Sequence, residues 1–248
     1  MISTNLLRSE LRKVATTNMP LAFLAVLVVL AVTNGVAVAI GTDMDGSKTF
    51  ISTGFDQQSL VAFAANALMI AGLFGAIAAA REYANNTVIA TYLNTPNRPR
   101  ALGAQFTAIG VGGAVLGLVG SALTIGAVAL SLPLTDYGFM VSAGGVVQVI
   151  AASAWAGAAG AVLGAGIGTI VRNTGGAVAG TVLALIIAPP LIVQLASGSA
   201  PWIPGTLAVV ASGIADHTSV IAAVAALGAW AIVPAIAAVW SVQRRDVV

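Results

Sequence analysis

Very little of this chain is equipped for chemistry. Ten of its 248 residues are Lys or Arg, eight are Asp or Glu, one is His and none is Cys. A single histidine excludes a multi-histidine metal centre within one chain, and the lack of cysteine excludes thiolate metal sites and disulfides. Ser212 and His217 come nearest to a nucleophile and its base, as an intramembrane hydrolase would need. No Gly-X pair precedes the serine, and five residues of loop give no reason for the two side chains to meet within hydrogen-bond reach. No catalytic residue is therefore expected, and the chain does not read as an enzyme. "GTDMDGSKT", Gly41–Thr49, has the glycine and lysine of a phosphate-binding loop. That motif needs Gly and Lys adjacent, and here Ser47 separates them. It reads as a polar loop, so no ATPase and no nucleotide-binding domain is expected in the chain.

Lipid is the solvent that this composition demands. The chain is 58% hydrophobic and 7% charged, with a mean hydropathy of +1.00, whereas soluble domains carry about a quarter charged residues. A net charge of +2 is too small to imply nucleic acid. Six apolar stretches meet the length of about 20 residues that a bilayer core requires: Pro20–Ile40, Leu60–Ala80, Ala101–Leu132, Val141–Val171, Gly175–Ala196 and Val220–Trp240. The third and fourth exceed it, and are expected to tilt or to project. Basic residues set the orientation. With the N-terminus inside, the cytoplasmic face holds Arg8, Arg12, Lys13, Arg81, Arg98, Arg100, Arg172, Arg244 and Arg245, and the outer face holds only Lys48. Both termini are thus expected in the cytoplasm of a multi-pass protein of a bacterial inner or plasma membrane. A signal peptide at the start is the lesser alternative, because the run from Pro20 is long enough to remain an anchor.

The polytopic all-α fold is read as one membrane domain over 1–248. Residues 1–19 form an interfacial segment, 20–240 a six-span bundle and 241–248 a cytoplasmic tail. Ile2, Leu6, Leu7, Leu11 and Val14 recur at helical spacing among Arg8, Arg12 and Lys13, with Ser3 or Thr4 to cap the start. This predicts an amphipathic helix lying among lipid headgroups. Small residues four apart (Gly113, Gly117 and Ser121; Gly160, Gly164 and Gly168; Gly176 and Gly180) predict close helix packing inside the bundle. Pro189 and Pro190 must kink or break span five. The stretch Pro201–Thr218 is too short to cross and too apolar for a plain loop, so a re-entrant or interfacial helix is expected on the outer face, anchored by Trp202. No Asp, Glu, Lys or Arg lies near the middle of any span. An ion-coupled carrier keeps an ionisable group there, which counts against the rival reading as a secondary transporter or channel. Asn34, Asn66, Gln148 and Gln194 are the amides within the spans, and read as interhelical glue.

One interruption of this apolar chain remains, "REYANNTVIATYLNTPNRPRALGAQF", residues 81–106. It resembles the cytoplasmic loop of ABC-2-type permeases, the membrane subunits of one class of ATP-binding-cassette exporter. The pattern of Arg-Glu closing span two, a short Thr-bearing helix, then Leu-x-x-Pro and a basic residue is matched by Arg81, Glu82, Thr87, Leu93, Pro96 and Arg98. The plan of an amphipathic N-terminal helix, six spans and a partly re-entrant segment before the last span is similar too. The chain departs from the pattern at Asn86, where the family usually has Gly, and at Gln105, where it often has Lys. The resemblance implies a coupling helix over 82–93, ended by Asn94 and Pro96. It would dock on cytoplasmic ATPase subunits through Arg81, Glu82, Tyr83, Asn86, Thr87, Ile89 and Leu93. Arg81, Arg98 and Arg100 would snorkel to headgroups. ATP and Mg would be bound by those partners and no cofactor by this chain, which would pair with an identical or similar permease amid membrane lipid. By the same resemblance, the export pathway runs between spans two and five of the two permeases, closing beneath the re-entrant segment around Trp202–Ala215. Phe63, Asn66, Met69, Ile70 and Phe74 would line it from span two, and Leu183, Ile187, Leu191 and Gln194 from span five. Aromatic, methionine and aliphatic side chains with sparse amides suit a bulky apolar or amphipathic cargo: a drug, a peptide antibiotic or a lipid-like molecule.

Overall fold

A computed structural model describes residues 4–43, 46–95, 97–214 and 218–244. Ile2, Ser3, Pro96, Ala215, His217 and Arg245 lie outside the described residues, as does the tail from 245 onward. Helix α1 (Thr4–Thr16) precedes α2 (Met19–Ile40), whose first turn holds Pro20 and whose end is met by Lys48, donating to the Ala39 carbonyl at 2.6 Å. A helical rod then runs through α3 (Gly54–Val61), a tight 3-10 stretch (Ala62–Asn66) and α4 (Ala67–Ala84). Helix α5 (Thr87–Asn94) is short, and α6 (Arg98–Ser131) is the longest helix. Helix α7 (Ala143–Val171) is followed by a second composite rod of α8 (Thr174–Val182), a π-helical turn (Leu183–Ile187) and α9 (Ala188–Leu195). A 3-10 turn (Ser197–Trp202) and α10 (Pro204–Ala211) lead into α11 (Val220–Arg244). No strand occurs among the described residues.

Six of these rods are long and apolar enough to cross a membrane: Met19–Ile40, Gly54–Ala84, Arg98–Leu134, Ala143–Val171, Thr174–Leu195 and Val220–Arg244. All six expected spans are present. Span two starts six residues earlier than its apolar run, for a polar reason. Thr53 and Asp56 form a capping box that nucleates the helix. Gln57, fully buried, then donates to the Ile51 and Gly138 carbonyls and accepts from the Met140 amide at 2.8 Å. Hydropathy registers Asp56 and Gln57 as the end of an apolar run, whereas their hydrogen bonds make them the start of the helix.

Helix α7 is the hub, packed on α4, α6 and α11. A Cβ added at Gly160, Gly164 or Gly168 would overlap the backbone of α4 at Leu68, Gly72 and Ala76. On another side, Gly113 and Gly157 face each other across α6 and α7, and Gly117 meets the Ser153 carbonyl. The expected small-residue ridges of spans three and four are thus backbone contacts within one bundle. The third is not: Gly176 and Gly180 meet the side chains of Val171 and Ile167. In lipid such close approach is held by dispersion, since no hydrophobic effect drives one helix onto another. Span five is not broken at Pro189 and Pro190. The wider π turn before them, closed by Ala188 N–H donating to the Leu183 carbonyl, takes up the missing bonds and the helix continues. Asn34 bridges to the Leu60 carbonyl and Gln148 to the Ala211 carbonyl, each tying two helices, while Asn66 bonds only within its own rod at Phe63.

Gly164→Ala should force α7 off α4 and lower the thermal midpoint in detergent by an amount corresponding to about 1–3 kcal/mol, the usual cost of overpacking. Gly126→Ala, within α6 and with open space around its Cβ, should be neutral or slightly stabilising in the same scan.

Candidate functional site

The loop between spans two and three does not form the three-turn helix expected over 82–93. Helix α4 runs on to Ala84, and Asn86 adopts the left-handed conformation at φ 56° before α5 begins. Asparagine tolerates that region better than most residues, so the Asn85–Asn86 pair turns the chain from one helix into the next. Glu82 and Tyr83 therefore belong to the end of span two, and Thr87, Ile89 and Leu93 to a separate two-turn helix. Tyr83, Asn86, Ile89 and Leu93 cannot share one helical face.

Side chains lock α5 to its neighbours on one side. Val88 is buried; the Tyr92 and Tyr83 hydroxyls are 3.3 Å apart. The Thr87 hydroxyl donates to the Glu82 carbonyl at 3.2 Å. Arg172, just past α7 in a left-handed cap at φ 58°, stacks 5.3 Å from the Tyr83 ring, and Arg98 lies 5.7 Å from Tyr92. Arg98 also donates to the Val242 carbonyl of α11 at 3.1 Å. It thus works inside the protein rather than snorkelling as expected, while Arg81 and Arg100 are exposed. On the other side Ile89 is 44% and Leu93 78% exposed.

Lys13 of α1 joins three elements. Its ammonium donates to Glu10 at 2.6 Å, to Glu82 at 3.3 Å and to the Thr91 hydroxyl at 3.2 Å. Glu82 thus turns inward to a cation of α1. Burial pulls the Lys13 pKa down, but the hydrogen bonds and charges of Glu10 and Glu82 outweigh it and hold the ammonium above the ordinary lysine value. Burial likewise pushes the Tyr92 phenol up. Glu10 and Lys13 are an i,i+3 pair, a spacing by which the sequence could have disclosed this contact. Tyr92 and Arg172 carried no such signal. Between α1, α4, α5 and α6 opens a cavity of about 580 Å³.

The expected pathway residues are divided. Phe63, Asn66 and Met69 line a second cavity of about 210 Å³, against Gly205 and Val209 beside α10. Ile70 packs on the main core. Phe74, expected on the pathway, is 1% exposed and packs edge-on against Phe23 at 5.7 Å. The 3-10 stretch accounts for Phe63, because three residues per turn instead of 3.6 rotates it off the face that carries Phe74, while Met69, five residues before Phe74 in the regular helix, lies off that face already. Leu183, Ile187, Leu191 and Gln194 are all exposed, and none of them lines the 210 Å³ cavity. Helix α10 packs on α11 and the 3-10 stretch, with Leu207 and Val210 buried, and the Trp202 carbonyl accepts from the Trp230 indole at 2.9 Å. Ser212 is buried and its hydroxyl donates to the Ala208 carbonyl at 3.0 Å.

A double-mutant cycle of Lys13→Met and Glu82→Gln should give a coupling of at most about 1 kcal/mol, because Lys13 is 44% exposed. The stabilisation from Lys13 is complete below the ordinary lysine value and is lost only as pH rises through the raised one. Limited proteolysis at the α1–α2 junction should therefore stay constant from neutral pH up to about 10 and increase above it. No protein-family model matches the chain, and no curated protein matches it in sequence.

Proposed function

We propose that this chain is the membrane subunit of an ATP-binding-cassette exporter of the ABC-2 permease type, working with cytoplasmic ATPase subunits and a second permease chain. The observation that carries the reading is α5. One side of this two-turn helix is pinned to the ends of α1, α4 and α6, and the other holds Ile89 and Leu93 out to solvent. A short rigid helix with an aliphatic face is what a groove on a soluble partner can grip. The spans supply a complementary reason: no described residue in mid-span offers a coupling ion an ionisable site, so the energy comes from outside the chain. The basic end of the bundle, bearing α5, faces the cytoplasm by the positive-inside rule.

Outward export of a hydrophobic or amphipathic compound fits the lining near the far end. Phe63 and Met69 supply apolar surface there, and Asn66 one orienting amide. The exposed aliphatic row Leu183, Ile187 and Leu191 adds a second apolar wall, which a partner permease would enclose.

Co-purification with the ATPase subunit tests α5 directly. Ile89→Ala and Leu93→Ala should each weaken association roughly tenfold, while the amount of permease in the membrane stays unchanged. Normal association in both variants would exclude this face. In inverted vesicles, uptake of the cargo should require ATP and ignore an ion gradient. Phe63→Ala and Asn66→Ala should shift the spectrum of exported compounds and leave basal ATP hydrolysis intact; normal export of every compound by both would remove the outer cavity from the pathway.

A further inference from the structure

The cavity of about 580 Å³ beneath α1 is unexplained by export between two permeases. Its walls are of two kinds. Val14, Met19, Ala78 and Ile109 make one side apolar, whereas Glu10, Glu82 and Lys13 meet at the other. Two carboxylates there share one ammonium. All three N–H groups of Lys13 are engaged, by Glu10, Glu82 and Thr91, so the lysine has none left for an anion. Arg81 lines the rim but stands exposed to water. A second feature is independent of this charge balance. Gln105 of α6 lines the same cavity, is 7% exposed, and makes no hydrogen bond to any described residue. Its amide is open to the cavity, where it can hydrogen-bond to whatever occupies the space.

We propose that this cavity is a binding site for an amphipathic ammonium: a cationic nitrogen at Glu10 and Glu82, a neighbouring polar atom at Gln105, and an apolar chain along Val14, Met19 and Ile109. The volume lies within the range of small-molecule sites, and the mixture of apolar wall with few polar groups is typical of them. The ammonium comes either from a soluble hydrophobic amine or from the headgroup of an ethanolamine lipid. The site stands whether or not the chain exports anything.

Photolabelling tests it, with decylamine, decanol and decanoate each carrying a diazirine, on the full chain in phosphatidylglycerol nanodiscs. Peptide mass spectrometry then reads the labelled residues. Decylamine should label α1 and the first half of α6 saturably, and decanol and decanoate should not. Glu10→Gln and Gln105→Leu should each weaken this labelling roughly tenfold, Glu10→Asp should retain it, and Ala78→Phe, which fills the cavity, should abolish it. Thermal midpoints identify any variant that fails to fold, in which case the comparison of the three probes on the native chain decides. Repeating the labelling in phosphatidylethanolamine discs separates the sources: suppression marks the lipid headgroup as occupant, and persistence marks the soluble amine. Saturable labelling of these helices by all three probes, or labelling unchanged by every substitution in folded variants, would overturn the proposal.

Discussion

Everything in this bundle hangs on how closely the backbone of α7 lies against those of α4 and α6. Gly164 lies against the Gly72 carbonyl, and Gly113 and Gly157 lie against each other's, so that even a methyl group on Gly164, Gly113 or Gly157 would collide with a carbonyl. Lipid-exposed helices gain nothing from burying apolar surface that lipid would solvate equally well. Attraction has to come from contact itself, which decays steeply with distance. Glycine at these positions gives the backbones that contact. The α7–α4 seam also sets where the polar ends go. With α7 fixed on α4, the cap at Arg172 arrives over the ring of Tyr83, and the rest of the basic end is assembled around that pair.

That end concentrates most of the protein's charge. Lys13 joins α1 to α4 through an ion pair with Glu82 and to α5 through a hydrogen bond to Thr91, and Arg98 bridges the start of α6 to the end of α11. Individually such half-exposed pairs contribute little. Their importance is geometric: they fix the height and rotation of α5, a helix too short to be stable by itself. Its free aliphatic side is presented in one orientation because its other side is committed.

The outer spans play the opposite part. Only 22% of the apolar window is buried in Met19–Ile40, 22% in Thr174–Leu195 and 17% in Val220–Arg244, against 61% in Gly54–Ala84. These three present rows of Val, Leu and Ile to lipid or to another chain. Span five adds an irregular π turn just before its two prolines. Such turns recur at functional positions in helices.

By itself the sequence determined the class of the protein: helical, six apolar rods, basic residues gathered toward one end, glycine seams in spans three and four. Length, hydropathy and four-residue spacing are local properties, and lipid leaves helices as the only open-ended way to satisfy the backbone. It also marked residues 81–106 as the place where the apolar pattern is deliberately broken. What tertiary structure alone decided was direction. Glu82 reads as a surface charge until α1 folds back and Lys13 meets it. Phe63 and Phe74 read as one lining face until a 3-10 stretch turns Phe74 toward Phe23 and the larger cavity, away from Phe63. Gln57 lies outside the apolar run of span two until its side chain is found tied to Ile51, Gly138 and Met140. A left-handed Asn86 split one expected helix into the end of a span and a separate two-turn helix. In the first three cases the deciding partner lies far away in sequence, or the deciding event is a change of helical pitch, and neither leaves a mark on the local pattern of residue types.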